Sequence, residues 1–478
     1  MSNIPKFLGE GSYGCIHYPR ILCEDEDPEY IDNKVSKIMK QEKAEEEFKE
    51  NELMDAIDPK FMYHLPTPII CSPNMNETTQ NAINLCQIKT KNIKNYKLLV
   101  MENGGFDLTI LPKILKQQQN ELSKQIMVNF WKEATKIMDG LELFEIRNVV
   151  HHDLKGQNIV YDIKTNKINF IDFGMMRTKQ DLKEKSKNNN NKFASWHWSF
   201  PPEIEFINKK NYLKFQAINK INKNLQQNIL QNYFSKSYFL EFKKLDEKTQ
   251  NELFKKKNKK KLNEVSSLTF NSTKKVGPLL FMDEPLFIFM YELTKNVNEA
   301  TYTSIYFLLY KQFQKFLNDV NNNNYNYFLD KTLSTIDTYG VGLALLQLYH
   351  TTKEYTFNHI HPQFEYDIYE LFINMINFNV FDRIHPFHAN IQFKNIIAKY
   401  FPEVITKPIS ISIKEKPLTQ QLILQSLLNQ NISSKLSFSK KKSIMKTKPK
   451  ILKTQSLTKK RKGSQPPKSL TKKRKFSQ

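Results

Sequence analysis

The chain has 478 residues and a net charge of +23, from 72 Lys and Arg against 49 Asp and Glu. Its 40% apolar and 12% aromatic content can build a real core, which excludes disorder of the whole chain. Twelve glycines are too few for a collagen-like or glycine-linker architecture, and the length suits one large catalytic domain or several small ones.

Four cysteines (Cys15, Cys23, Cys71 and Cys86) are too few for a disulfide scaffold and include no close CxxC pair. Reduced thiols in a cytosolic or nuclear protein are the expected state. Residues 1–6 lead straight into a glycine-rich turn without a signal-peptide core. The apolar stretches are broken by charge, as at Asp283 and Glu284 within 278–290. A soluble protein with no membrane span is therefore expected.

Residues 4–103 read as short strands around one acidic helix. Gly9, Gly11 and Gly14 form a GxGxxG turn, where missing side chains let backbone N–H groups approach a phosphate. A dinucleotide fold would open a helix at the third glycine. Here residues 15–19 read as a second strand, which favours a β-turn-β cover over the phosphates.

Lys37 follows in an apolar strand segment, 35–38. It is either a phosphate-holding lysine or a surface lysine like its neighbours Lys34 and Lys40. Residues 44–57 are strong helix formers with apolar positions at helical spacing. Glu50 is the first candidate to pair with Lys37, Glu47 the second, and Glu46 and Glu52 fall to a solvated face. Residues 96–101 predict a buried strand. Ile126, Met127, Phe130, Ala134, Ile137 and Leu141 predict one long core helix over 124–146.

The chemistry is concentrated in residues 149–160, where Asp153, Lys155 and Asn158 sit at short fixed offsets between two apolar runs. A carboxylate can accept a proton from an attacking hydroxyl, and a lysine two residues on can neutralise a transferring phosphoryl group. An amide oxygen five residues after the carboxylate can bind Mg²⁺. Asp172, at the end of the 168–172 run, supplies a second hard oxygen ligand.

This set, with Asp172-Phe-Gly174 and His151-x-Asp-Leu-Lys-x-x-Asn158 in that order behind Gly9–Gly14 and Lys37, resembles the eukaryotic-type serine/threonine protein kinases. The resemblance covers residues 4–204 and 335–400. It implies an α+β, bilobal fold with a small β-rich N-lobe and a helical C-lobe. It also implies phosphoryl transfer from ATP with Mg²⁺ (Mn²⁺ as the alternative ion) to protein Ser and Thr. Asp153 and Lys155 would be catalytic, and Asn158 and Asp172 would hold metal. Leu8, Gly9, Gly11, Gly14, Ile16, Val35, Lys37, Glu50, Met101, Glu102, Gly104 and Val160 would bind the nucleotide. In the family pattern Met101 is the gatekeeper and the 102–104 backbone the adenine-facing hinge. His151 and Phe173 are structural, Glu203 pairs with Arg383, and Asp337 opens a buried anchor helix in which Tyr339 replaces a tryptophan. Departures are His152 in place of the arginine that commonly receives an activation-loop phosphate, and Trp196 where a threonine is usual, with Ser195 as a substitute.

The expected division is 1–103 for the N-lobe and hinge, 104–204 for the first part of the C-lobe, and 205–336 for a Lys/Asn-rich insertion. Residues 337–402 complete the C-lobe and 403–478 form a flexible basic tail. Within the insertion, the 3–4 spacing from Tyr302 to Val320 predicts an amphipathic helix. The tail residues 435–478 hold 17 Lys and Arg and no acid, so the rest of the +23 leaves only +6 for residues 1–434. Residues 456–465 and 469–478 repeat SLTKKRK with nine of ten positions shared. Such a segment is expected to be disordered. It reads as a solvated tail, an import signal or a binder of nucleic acid or another polyanion. The composition is similar to that of kinases of large cytoplasmic DNA viruses, which adds the virion to the cytoplasm and nucleus as expected locations. The alternative functions are a pseudokinase scaffold and a nucleic-acid-binding protein working through the tail.

Overall fold

The computed structural model describes residues 5–10, 14–27, 33–84, 86, 95–187, 199–221, 299–356 and 361–402. The chain divides into two units, Met1–Pro408 and Ile409–Gln478, and all described residues belong to the first. Gly11, Ser195, Trp196 and the repeated tail motif lie outside them.

Strands β1 (Lys6–Glu10), β2 (Gly14–Tyr18), β3 (Lys34–Lys40), β4 (Ile69–Cys71) and β5 (Tyr96–Glu102) form an antiparallel sheet in the order β1-β2-β3-β5-β4. Its register places Ile16 opposite Lys37, Lys37 opposite Leu99, and Val35 opposite Met101. Because side chains alternate along a strand, these five residues share one face. The other face carries Cys15, Ile38, Leu98 and Val100, packed with Ala82 and Ile83 of helix α2 (Glu77–Asn84). Helix α1 (Gln41–Ile57) starts directly after β3 and buries Ala44, Met54 and Ile57.

The C-lobe is helical. It comprises α3 (Leu111–Lys116), α4 (Asn120–Glu133), α5 (Thr135–Ile146), α6 (Lys179–Lys187), α7 (Lys209–Ile221), α8 (Glu299–Asn322), α9 (Tyr325–Thr356), α10 (Pro362–Met375) and α11 (Pro386–Tyr400). Two small antiparallel sheets border the site: β6 (Phe106–Asp107), β8 (Ile159–Asp162) and β9 (Lys167–Phe170) in the order β6-β8-β9, and β7 (Val149–Val150) with β10 (Arg177–Thr178). Helix α9 runs through the core, with Tyr339, Val341, Leu343, Leu345 and Leu346 buried. Trp131 of α4 is fully buried and stacks on Phe372 of α10 at 6.0 Å.

Three expectations are corrected. The long helix over 124–146 is two helices that meet at Ala134. The boundary expected at 336/337 falls inside α9, which is continuous from Tyr325. The ends of the insertion belong to the core because their aromatic residues bury there. Phe206 stacks on Phe215 at 4.2 Å, and the Tyr212 hydroxyl donates to the Asn323 carbonyl at 2.8 Å. The predicted amphipathic helix is α8, whose Ile305, Leu309, Phe313 and Phe316 are buried. Finally, the cysteines are paired, Cys15 with Cys86 and Cys23 with Cys71. Separations of 71 and 48 residues hid these pairs, which sheet formation brings to Cα–Cα distances of 6.1 and 5.8 Å, inside the span of a disulfide. Among the described residues, no helix is long and apolar enough to cross a membrane.

Candidate active site

The loop between β7 and β8 is held by Asp337 of α9. Its carboxylate accepts the backbone N–H of His151 at 2.7 Å and of His152 at 2.9 Å. Burial pushes the Asp337 carboxyl up, opposed by His151 and by these two N–H donors. The helix must come very close to do this, since a Cβ on Gly340 would lie 2.2 Å from the Leu154 carbonyl oxygen. Two non-glycine residues here have positive φ, His152 at 69° and Asp172 at 65°. Such backbone costs on the order of 1–3 kcal/mol per residue and persists only where the surroundings fix it.

Within this loop Lys155 Nζ donates to Asp153 Oδ2 at 2.7 Å. Asn158 Nδ2 donates to the Asp153 carbonyl at 2.8 Å and to Oδ2 at 3.1 Å. Both Asn158 donor contacts therefore go to Asp153, which leaves its amide oxygen for a cation. That oxygen and the Asp172 carboxylate are hard donors suited to Mg²⁺. Mg²⁺ is commonly held by one or two carboxylates together with substrate phosphates. Among the described residues no group of three or more His, Cys, Asp or Glu could hold a metal ion.

Phe173 is buried between two histidines, 5.2 Å from the His151 ring and 5.9 Å from the His64 ring. His64 itself is fixed from both sides, Nδ1 3.0 Å from Asp58 Oδ2 and Nε2 2.8 Å from Asp55 Oδ1. This strut between the end of α1 and Phe173 escaped the sequence reading, where a lone histidine between Tyr63 and Leu65 carries no signal.

On the N-lobe side, Lys37 Nζ contacts both carboxylate oxygens of Glu47, at 2.8 and 2.7 Å. The expected partner Glu50 is corrected. It stands beside Gly174, where an added Cβ would lie 3.2 Å from Glu50 Oε2, and 4.0 Å from Arg177. Burial pushes the Glu50 carboxyl up, with Arg177 acting against it.

Ile16, Val35, Lys37 and Met101 share the inner sheet face described above. Leu8 is exposed, while Val160 is buried against the hinge: a Cβ on Gly104 would meet Val160 Cγ2 at 2.6 Å. Gly105 has φ of 89° and no room for a side chain next to Tyr161, so the hinge backbone is fixed here by glycine. Glu102 closes the end of β5, 3.6 Å from Lys34. Gly9 has open space where a Cβ would stand, and Gly14 packs tightly on Ile38 of β3. This apolar face beside a lysine and a backbone hinge fits a purine nucleotide.

His152 is 3% exposed and tilts against Phe200 at 5.7 Å. Burial, with His151, Arg177 and Lys185 acting the same way, pulls it down to about 4, so it is neutral at physiological pH. It offers no charge to a phosphate. Glu203 and Arg383 form the expected ion pair.

The family model described as Protein kinase domain matches residues 3–218. With the two-lobed fold, the Asp337-held loop and the Glu203–Arg383 pair, this identifies a protein kinase domain of the eukaryotic type in this chain. No curated protein matches the chain. A protein kinase domain carries out phosphoryl transfer to proteins, using ATP and a divalent cation.

Proposed function

We propose that the chain is a catalytically competent serine/threonine kinase that uses MgATP. The observation that carries this reading is the hydrogen-bonded set Asp153, Lys155 and Asn158 on a loop anchored by Asp337, together with Lys37 of β3 charge-paired to Glu47 of α1. Asp153 orients the substrate hydroxyl and accepts its proton. Lys155, 2.7 Å from Asp153, lies where it can neutralise charge gathering on the transferred group. Lys37 grips the nucleotide phosphates. The cation, held by Asn158 and Asp172, would neutralise phosphate charge when bound. The protein contributes mainly positioning and preset electrostatics. Serine and threonine are the expected acceptors because Lys155 stands two residues after Asp153, as in the serine/threonine pattern.

The test is phosphate transfer from labelled MgATP to a mixed protein substrate, followed by phosphoamino-acid analysis. Asp153→Asn should lower the rate by roughly 10²–10⁴-fold, the usual worth of a positioned general base. Equal transfer by wild type and Asp153→Asn would refute the assignment. Nucleotide binding without transfer by the wild type would instead make the fold a scaffold.

A further inference from the structure

Outside the catalytic set, one group of reactive side chains lies directly behind the nucleotide-facing sheet. Cys15 follows Gly14 in β2 and is fully buried, whereas Cys86, which follows α2, is partly exposed. His17 is fully buried two residues further along β2, on the same strand face as Cys15. Its Nε2 is 3.1 Å from the Ala82 carbonyl and 4.0 Å from Cys86 Sγ. Nε2 therefore carries the proton that faces Ala82 and can share it with the sulfur. Burial pulls His17 down, and among the described residues its buried Nδ1 has no hydrogen-bond partner.

We propose that Cys15–Cys86 is a thiol–disulfide exchange site for small dithiols or dithiol proteins, and that its state tunes nucleotide affinity through the placement of β2. Of the two, Cys86 is the less buried residue, so the attack is assigned to Cys86 Sγ. A mixed disulfide forms there, the Cys15–Cys86 bond breaks, and the Cys15 thiolate takes the proton released by the attacking thiol. The second thiol of the reductant then closes onto the first, freeing Cys86 as a thiol held by the His17 Nε2–H. Two electrons and two protons pass from the dithiol to the pair, which becomes two thiols. Reoxidation by a disulfide of the same class runs the steps in reverse.

The link to nucleotide is geometric. Cys15 lies between Gly14 and Ile16, and Ile16 is the β2 residue opposite Lys37 on the cleft face. The closed pair ties this point to Cys86 across 71 residues. Opening it releases the start of β2 from the α2 side and loosens a wall that must be preset to bind tightly. Cys23–Cys71 joins the segment after β2 to the last residue of the edge strand β4, with β3 and β5 standing between β4 and β2, and serves as an internal control.

The inference rests on the nucleotide-binding reading, so the test separates the two. The full chain is equilibrated in graded ratios of reduced to oxidised dithiothreitol. Free thiols are then trapped by alkylation and mapped by mass spectrometry, and binding of a fluorescent ADP analogue with Mg²⁺ is measured in each sample. Cys15 and Cys86 should become alkylated together, and Kd for the nucleotide should rise several-fold over the same range. Cys86→Ser should show the weaker Kd throughout, and Cys71→Ser should keep the response. Trapping of Cys15 and Cys86 as thiols at every ratio, or a Kd that does not change while the pair opens, would overturn the proposal. Absence of nucleotide binding in both states would refute the nucleotide-binding reading and the coupling with it. The mapping of thiols reports the exchange chemistry regardless of that result.

Discussion

Glu203 and Arg383, 180 residues apart in sequence, meet in a two-pronged ion pair with neither side chain exposed, at 2.5 and 3.0 Å. The Arg383 guanidinium also lies over the Tyr339 ring at 5.0 Å and donates from Nε to the Asn377 carbonyl. The pair thus joins the end of the activation segment to α9 and to the segment before α11. Its guanidinium is hydrogen-bonded on three sides, which offsets the cost of desolvating it.

Breaking this pair leaves one buried charge without its counterion. Arg383→Ala and Glu203→Ala should each destabilise the fold by about 3–5 kcal/mol. Arg383→Lys should not restore stability, since an ammonium cannot match the planar fork. Urea unfolding of the three variants checks this. A loss near zero for either alanine variant would show that the pair is not what holds these segments together.

The partner of Lys37 is the second test. Glu47→Gln removes the negative charge that holds the Nζ group in the cleft, and a misplaced Lys37 should cost on the order of 10–100-fold in kcat/KM for ATP. Glu50→Gln should cost much less, because Glu50 stands beside Gly174 and Arg177 and does not contact Lys37. Steady-state kinetics on both variants decide the assignment. A larger loss from Glu50→Gln would mean that Lys37 exchanges partners when nucleotide binds.

These two pairs mark what the sequence could and could not disclose. Asp153, Lys155 and Asn158 were legible because the chemistry needs them within five residues, and a loop that short fixes their relations. Glu203, Arg383 and Asp337 were legible only by resemblance, since nothing local to them announces a partner so far along the chain. Glu47 and Glu50 could not be separated, because residues three apart lie on the same helix face. Which one meets Lys37 depends on how α1 leans on the sheet. The cysteine pairs were missed for a related reason. Cys15 and Cys86 become neighbours only when α2 packs behind β2, and no spacing rule encodes that step. Composition also misplaced the insertion's end, because its Lys and Asn conceal that Tyr325, Phe328 and Leu329 already belong to the buried face of α9.

Acid should weaken the protein in two stages. His152 and His350 are both held at about 4, chiefly by burial, against an unfolded value of 6.5. At neutral pH they are uncharged in both states and contribute no pH dependence. Below pH 6.5 the unfolded chain takes up protons that the folded chain refuses, so stability falls toward pH 4 by roughly 1.4 kcal/mol per pH unit for each histidine. The carboxyls of Asp58 and Glu145 are instead held low, where hydrogen bonds and nearby cations outweigh burial. Their contribution is present above the ordinary carboxylate range and is lost only as pH falls through their lowered values. Urea unfolding between pH 7.5 and 4.5 should therefore show a slope that His152→Leu reduces. A flat profile down to pH 4.5 would mean that the buried rings are reached by protons without cost.

The basic tail gives a prediction with a sign that salt can test. Residues 435–478 carry 17 Lys and Arg without a single acid, whereas residues 1–434 hold only +6. Binding of a polyanion through such a segment releases condensed counterions, so log K should fall linearly with log salt. The slope grows by about 0.9 for each duplex-DNA phosphate neutralised. Full-length protein should bind unrelated DNA sequences with similar affinity at low salt and lose them steeply as salt rises. Removal of 435–478 should flatten that slope toward zero. Phosphate transfer to a protein substrate should persist in the shortened chain, because the proposed catalytic residues from Lys37 to Asp172 and the ion pair from Glu203 to Arg383 all precede the deletion. Retention of steep, salt-dependent binding after the deletion would move the polyanion site onto the catalytic domain itself, and loss of phosphate transfer would make the tail part of the active enzyme.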